Sequence, residues 1–166
     1  MPTVISLLIL IGAVLIQTTL LPFIEISSVH PDLVFVLVIG WAILRGLEEG
    51  LIWALIGGLS LDFFSGAPFG VFTLSMLAVT LVTALFHGRL FGSSIVLPLG
   101  LTFPLSLLFN GLALLMLALL GRHIVWGDAI VDILLPVAVF NTMVMMLIFP
   151  LLYLLNRFFT PRQLSF

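Results

Sequence analysis

The chain has 166 residues, 63% of them apolar and 7% charged, with a net charge of −2, no cysteine, and five basic residues that are all arginine. It has no basic stripe for nucleic acid, and no thiols for disulfides, metal thiolates or redox chemistry. So few residues are left for loops that a soluble domain on either side of a bilayer is excluded, and residues 1–166 read as one domain of a polytopic membrane protein.

The apolar runs predict six helices, at about 3–21, 32–44, 47–64, 70–87, 94–120 and 130–155. The first run lacks a basic leader and a small-x-small cleavage site, so it reads as a mature transmembrane helix. Within it, Gln17, Thr18 and Thr19 are expected to hydrogen-bond between helices. Asp32 follows Pro31 at the start of helix 2, where a carboxylate meets free N–H groups and the positive helix end; capping is its expected role. Helix 2 is short for a span of about 20 residues, and crosses only if thin or tilted or if its ends are hidden by protein.

Helix 3 and its flanks carry the densest pattern: Arg45-Gly46-Leu47-Glu48-Glu49-Gly50, then Ala54, Gly57, Gly58 and Asp62. At about 100° per residue, Gly46, Gly50, Ala54, Gly57, Gly58 and Asp62 share roughly one 100° arc, a smooth face that ends in a carboxylate. In lipid, close packing at small residues is a main source of helix association. Helix 3 is therefore expected at the centre of the bundle, its stripe packed on the chain's own helices or on a partner's. An acid at this depth has to be wet, protonated or paired. Asp62 is expected to accept N–H bonds from the turn Ser65-Gly66-Ala67-Pro68-Phe69-Gly70, with a partner contact or bound solute as the other use.

Further along, Pro98 and Pro136 lie near helix starts, and Pro104 and Pro150 are expected to bend helices 5 and 6. Asn110 and Asn141 read as interhelical hydrogen-bonding groups. His30, His87 and His123 fall in joints at different depths, which gives no metal site. No nucleophile and base, and no acid pair, has spacing that predicts convergence, so neither an enzyme nor a cofactor is expected.

Six spans put both termini on one side. That side holds Arg45, Arg89, Arg157 and Arg162, against Arg122 alone on the other, which makes both termini cytoplasmic. Glu25, Asp32, Asp62, Asp128 and Asp132 then form an acidic outer rim.

The run Pro31-Asp32-Leu33-Val34, then Arg45-Gly46 and Gly50, then Gly58-Leu59-Ser60-Leu61-Asp62-Phe63-Phe64-Ser65-Gly66-Ala67-Pro68-Phe69-Gly70, closely resembles the bacterial rod shape-determining MreD family. The specific part is Asp-x-x-Ser-Gly-x-Pro-x-Gly, beginning at Asp62 and carrying Ser65, Gly66, Pro68 and Gly70. The resemblance implies a non-enzymatic subunit of the cell-elongation machinery in the bacterial inner membrane. Its implied partners are MreC first, then MreB, RodA and a class B penicillin-binding protein, together organising lateral peptidoglycan synthesis. The six-helix plan also resembles the substrate-binding S components of energy-coupling-factor vitamin transporters, which is the alternative function. Against that alternative, the outer ends offer mainly acids, and helix 1 lacks an Ala-x-x-x-Ala pair.

Overall fold

The structure, a computed structural model, describes residues 3–19, 31–85 and 96–159. Helix α1 is Thr3–Thr19, α2 Leu33–Arg45, α3 Leu47–Phe64, α4 Val71–Ala84 and α5 Val96–Leu119. A helical turn at Trp126–Asp128 and a π-helical segment, Ala129–Leu134, lead into α6, Leu135–Phe159. All regular structure among the described residues is helical. The predicted helix ends at 20–21, 86–87 and 94–95 lie outside the described residues, as do Glu25, His30, His87, Arg89 and Arg162.

The centre of the bundle is α2 rather than α3. Its sequence, LVFVLVIGWAILR, is apolar all round until the closing arginine, and a helix without a polar face has to be covered on every side. Ten of its 13 residues are buried, and it touches each of the other five helices. Phe35 stacks on Phe109 of α5 with ring centroids 5.1 Å apart, and Trp41 stacks on Trp53 of α3 at 4.7 Å. By contrast α3 leaves Leu47, Ile52, Leu55, Phe63 and Phe64 exposed, so it lies at the flank of the core.

The small-residue stripe of α3 is filled from within the chain. A Cβ placed on Gly50 would lie 2.8 Å from the Ala42 Cβ of α2 and 3.2 Å from the Thr80 Cγ2 of α4. At Gly57 it would meet Val34 Cγ1 at 2.8 Å, and at Gly58 the Thr73 backbone Cα at 2.6 Å. Ala54 is fully buried between these contacts. Gly46 is not in the helix: it is the single-residue joint between α2 and α3, at φ 85° and ψ −162°, a conformation essentially restricted to glycine.

Among the described residues, two stretches are long and apolar enough to cross a membrane, Pro98–Leu119 and Trp126–Phe158. Both carry outward apolar side chains, such as Leu108 and Leu115 on α5, and Met143, Met146, Leu147 and Leu151 on α6. Pro104 and Pro150 sit inside them. The last helical stretch starts at Trp126, earlier than the apolar run alone indicates, so Pro136 is internal to it. Proline clashes with the carbonyl four residues back, here that of Asp132, and the π-helical Ala129–Leu134 is the wider turn that relieves such a clash.

The close approaches make opposite predictions for glycines on different faces. Gly58→Ala puts a methyl against Thr73 backbone and should cost about 1–3 kcal/mol, the usual penalty for overpacking. Gly12→Ala on α1 meets nothing within 4 Å and should be neutral or up to about 1 kcal/mol stabilising through helix propensity. Thermal unfolding of the two variants in one detergent checks the pair.

Candidate functional site

Two buried carboxylates organise the junctions between helices. Asp62, in the last turn of α3, is 4% exposed and points at the start of α4. Its Oδ2 accepts from the Gly70 N–H at 3.0 Å and the Thr73 N–H at 3.2 Å, and its Oδ1 from the Phe72 N–H at 2.9 Å. The Thr73 hydroxyl also donates to Oδ2. The first N–H groups of a helix have no intrahelical acceptor, and α4 has no side-chain cap of its own, so Asp62 takes that part from across the joint.

The connecting turn is built to allow this. Gly66 and Gly70 adopt positive φ, 65° and 101°, where a side chain would be strained. Ser65 Oγ accepts from the Ala67 N–H at 3.3 Å, and the Pro68 carbonyl from the Val71 N–H at 3.4 Å. Ser65, Gly66, Pro68 and Gly70 thus form one loop that brings the α4 N-terminus onto Asp62.

Asp32 is the N-cap of α2, accepting from the Phe35 N–H at 3.0 Å. Around it the structure joins residues that the sequence shows only singly. Gln17 of α1 donates to Asp32 Oδ1 at 3.1 Å while its own Oε1 accepts from the Val34 N–H at 3.0 Å. The Asp32 N–H donates to Asn141 Oδ1 of α6 at 2.7 Å, and Asn141 Nδ2 donates to Ser106 Oγ of α5 at 2.8 Å. Four helices therefore meet in one buried polar chain. Asn110 does not take part: it donates to the Ser106 carbonyl, one turn back on its own helix.

A third cluster lies where α2 gives way to α3. Glu49 Oε2 accepts from Trp41 Nε1 at 3.0 Å, and Glu49 Oε1 faces Arg45 Nη1 at 3.7 Å. The Arg45 guanidinium lies 5.6 Å from the Trp41 ring centroid. Glu48 points outward, exposed.

Near the start of the last helical stretch, His123, Asp128 and Asp132 line a cavity of about 330 Å³ with Leu114, Ile124, Val125, Ala129 and Ile133. Both acids are exposed. Among the described residues, no three acid or histidine side chains gather in a set that could hold a metal.

The arrangement positions helices; its buried carboxylates are occupied by backbone N–H groups. Gln17, Ser106 and Asn141 are the residues that reading along the chain did not join to Asp32. Polar groups spaced 109 residues apart give no local signal of meeting.

These features define, among the described residues, an all-helical bundle with helices long and apolar enough to cross a membrane and with buried polar groups that join its helices. The chain belongs to the family of the rod shape-determining protein MreD, whose match covers residues 1–159. Its members determine rod shape and act within the rod-shape complex at the bacterial membrane. No curated protein and no solved structure matches the chain.

Asp62→Asn replaces one of two acceptor oxygens with an amide donor that faces donors. The expected loss is about 2–3 kcal/mol of stability, as for hydrogen bonds to a charged group, with faster hydrogen exchange at Phe72 and Thr73. Gln17→Leu and Asn141→Leu act on the same residue, Asp32, one at its carboxylate and the other at its backbone N–H, so their effects should be non-additive by about 0.5–3 kcal/mol in a double-mutant cycle. Strict additivity would mean that the two amides hold their helices independently.

Proposed function

We propose that the protein is a non-enzymatic scaffold of the rod-shape complex that crosses the membrane six times, with both termini cytoplasmic, and binds MreC. Through MreC it acts with MreB, RodA and a class B penicillin-binding protein on lateral peptidoglycan synthesis. The observation that carries this reading is the family match over residues 1–159. The use of Asp32 and Asp62 to hold backbone N–H groups supports it, because groups so engaged serve shape rather than reaction.

Gly50, Gly57 and Gly58 are occupied by α2 and α4, so a partner's transmembrane helix packs on an outward apolar face instead. In this reading the exposed acids Asp128 and Asp132 meet Arg or Lys of the partner's outer segment. Both acids are exposed and salt screens such charges over about 10 Å at 0.1 M, so they orient the partner while helix packing supplies most of the affinity. The S-component likeness concerns architecture, and architecture alone does not carry function.

Co-purification in mild detergent with MreC from the same organism tests the reading, with an unrelated six-span protein as control. The wild-type chain should recover a defined complex. Asp128→Asn with Asp132→Asn should lower recovery at low salt more than at high salt. Failure of folded wild-type protein to retain MreC in any mild detergent would sink the proposal.

A further inference from the structure

Among the described residues, the buried side-chain nitrogen or oxygen atoms with no hydrogen-bond partner are three: Arg45 Nε, Arg45 Nη2 and Thr80 Oγ1. They share one end of the bundle. Thr80 touches Gly50, and Arg45 is one turn beyond Ala42, the other residue that touches Gly50. The two arginine atoms matter most. Nε–H and Nη2–H point the same way and form the side edge of the guanidinium, the fork that holds two oxygens of one oxyanion.

No described residue supplies an oxyanion to that fork. Glu49 reaches only Nη1, at 3.7 Å, and its carboxylate is held in place by the Trp41 indole N–H at 3.0 Å. The Trp41 ring takes the face of the guanidinium and leaves its edge unmatched. A cation whose donors are withdrawn from water and left unpaired is costly, and the cost is relieved when an anion is met. Arg45 is the last residue of α2, its side chain is 20% exposed, and the residues that follow the joint, Leu47 and Glu48, are also exposed. The fork is covered as the side chain stands, so meeting an anion requires the side chain to rotate outward, giving up the long Glu49 contact and the indole face.

We propose that Arg45 is a phosphate receptor, whose Nε–Nη2 edge binds the phosphodiester of a membrane phospholipid at the face where α2 ends. The source of the phosphate rests on the membrane-spanning reading above; the unfilled fork does not. Lysine cannot replace it, because an ammonium offers a point charge without the paired, parallel donors.

Native mass spectrometry of the full chain, released from detergent after exposure to phosphatidylglycerol or to a galactolipid that lacks phosphate, tests this directly. The wild-type chain should keep one phosphatidylglycerol under conditions that strip the galactolipid. Arg45→Lys should reduce retention about fivefold and Arg45→Gln more, with helical content unchanged, as befits loss of a bidentate charge-assisted pair. Equal retention of the two lipids by the wild-type chain would overturn the proposal without recourse to any variant. So would undiminished phosphatidylglycerol retention by Arg45→Lys. Displacement of the lipid by excess inorganic phosphate would overturn the lipid as the source and assign the fork to free phosphate. Loss of MreC from Arg45→Lys with lipid retention intact would make the occupant a carboxylate of the partner. A wild-type chain that captures MreC but keeps no phospholipid defeats this inference alone, whereas one that keeps the lipid but not MreC defeats only the scaffold reading.

Discussion

A helix of 13 residues is about 20 Å long, while the hydrocarbon core of a bilayer is about 30 Å thick. Ten of its residues are enclosed by the other helices, and each N–H left free at its end in an apolar medium costs several kcal/mol. In α2 that demand is met at the N-terminal end by Asp32 and Gln17, which take the Phe35 and Val34 N–H groups, while Asn141 takes that of Asp32 itself. The remaining architecture follows from enclosing α2. Its partners have to come from α1, α5 and α6, and the Gln17–Asp32–Asn141–Ser106 chain fixes where those helices cross.

Enclosure also explains the glycines. With α2 at the centre, α3 approaches closely enough that Val34 and Ala42 occupy the places of absent side chains at Gly57 and Gly50. On its other side α4 seats its Thr73 backbone on Gly58, in the same turn in which Asp62 gathers the α4 N-terminus. Packing and capping at this junction reinforce each other. The glycine lets the backbone come near enough for the carboxylate to reach three N–H groups, and those bonds hold the backbone near. Because both devices are directed inward, the surface of the described residues offers other molecules apolar helix faces, the cavity beside Asp128 and Asp132, and the arginine at the end of α2.

Much of this was legible along the chain. The apolar runs and the absence of alternating patterns indicate an all-helical protein, since successive residues on one face recur at helical spacing. The segment from Asp62 to Gly70 is readable because its parts are local: a carboxylate, two glycines able to take positive φ, and a proline stand within nine residues. Such a segment carries a family resemblance that composition cannot. The small-residue face of α3 is also visible in the sequence, but the identity of the neighbour is not, because a smooth face is compatible with any helix that comes close. The placing of α3 at the centre fails for the same reason: small residues signal close approach, not enclosure. The all-round apolar character of α2 was the better indicator of the centre.

The sequence by itself determined a membrane-embedded helical chain, the glycine and proline joints, and the acids beside them, because these depend on hydrophobicity and on backbone preferences within a few residues. Only the tertiary structure decided that α2 is enclosed, that Asp32 shares its polar chain with Gln17, Asn141 and Ser106, and that Glu49 is held by Trp41, leaving the Arg45 fork unpaired. Those outcomes depend on which side chains meet across helices far apart in sequence, and helical periodicity fixes the face of a residue without naming what lies opposite.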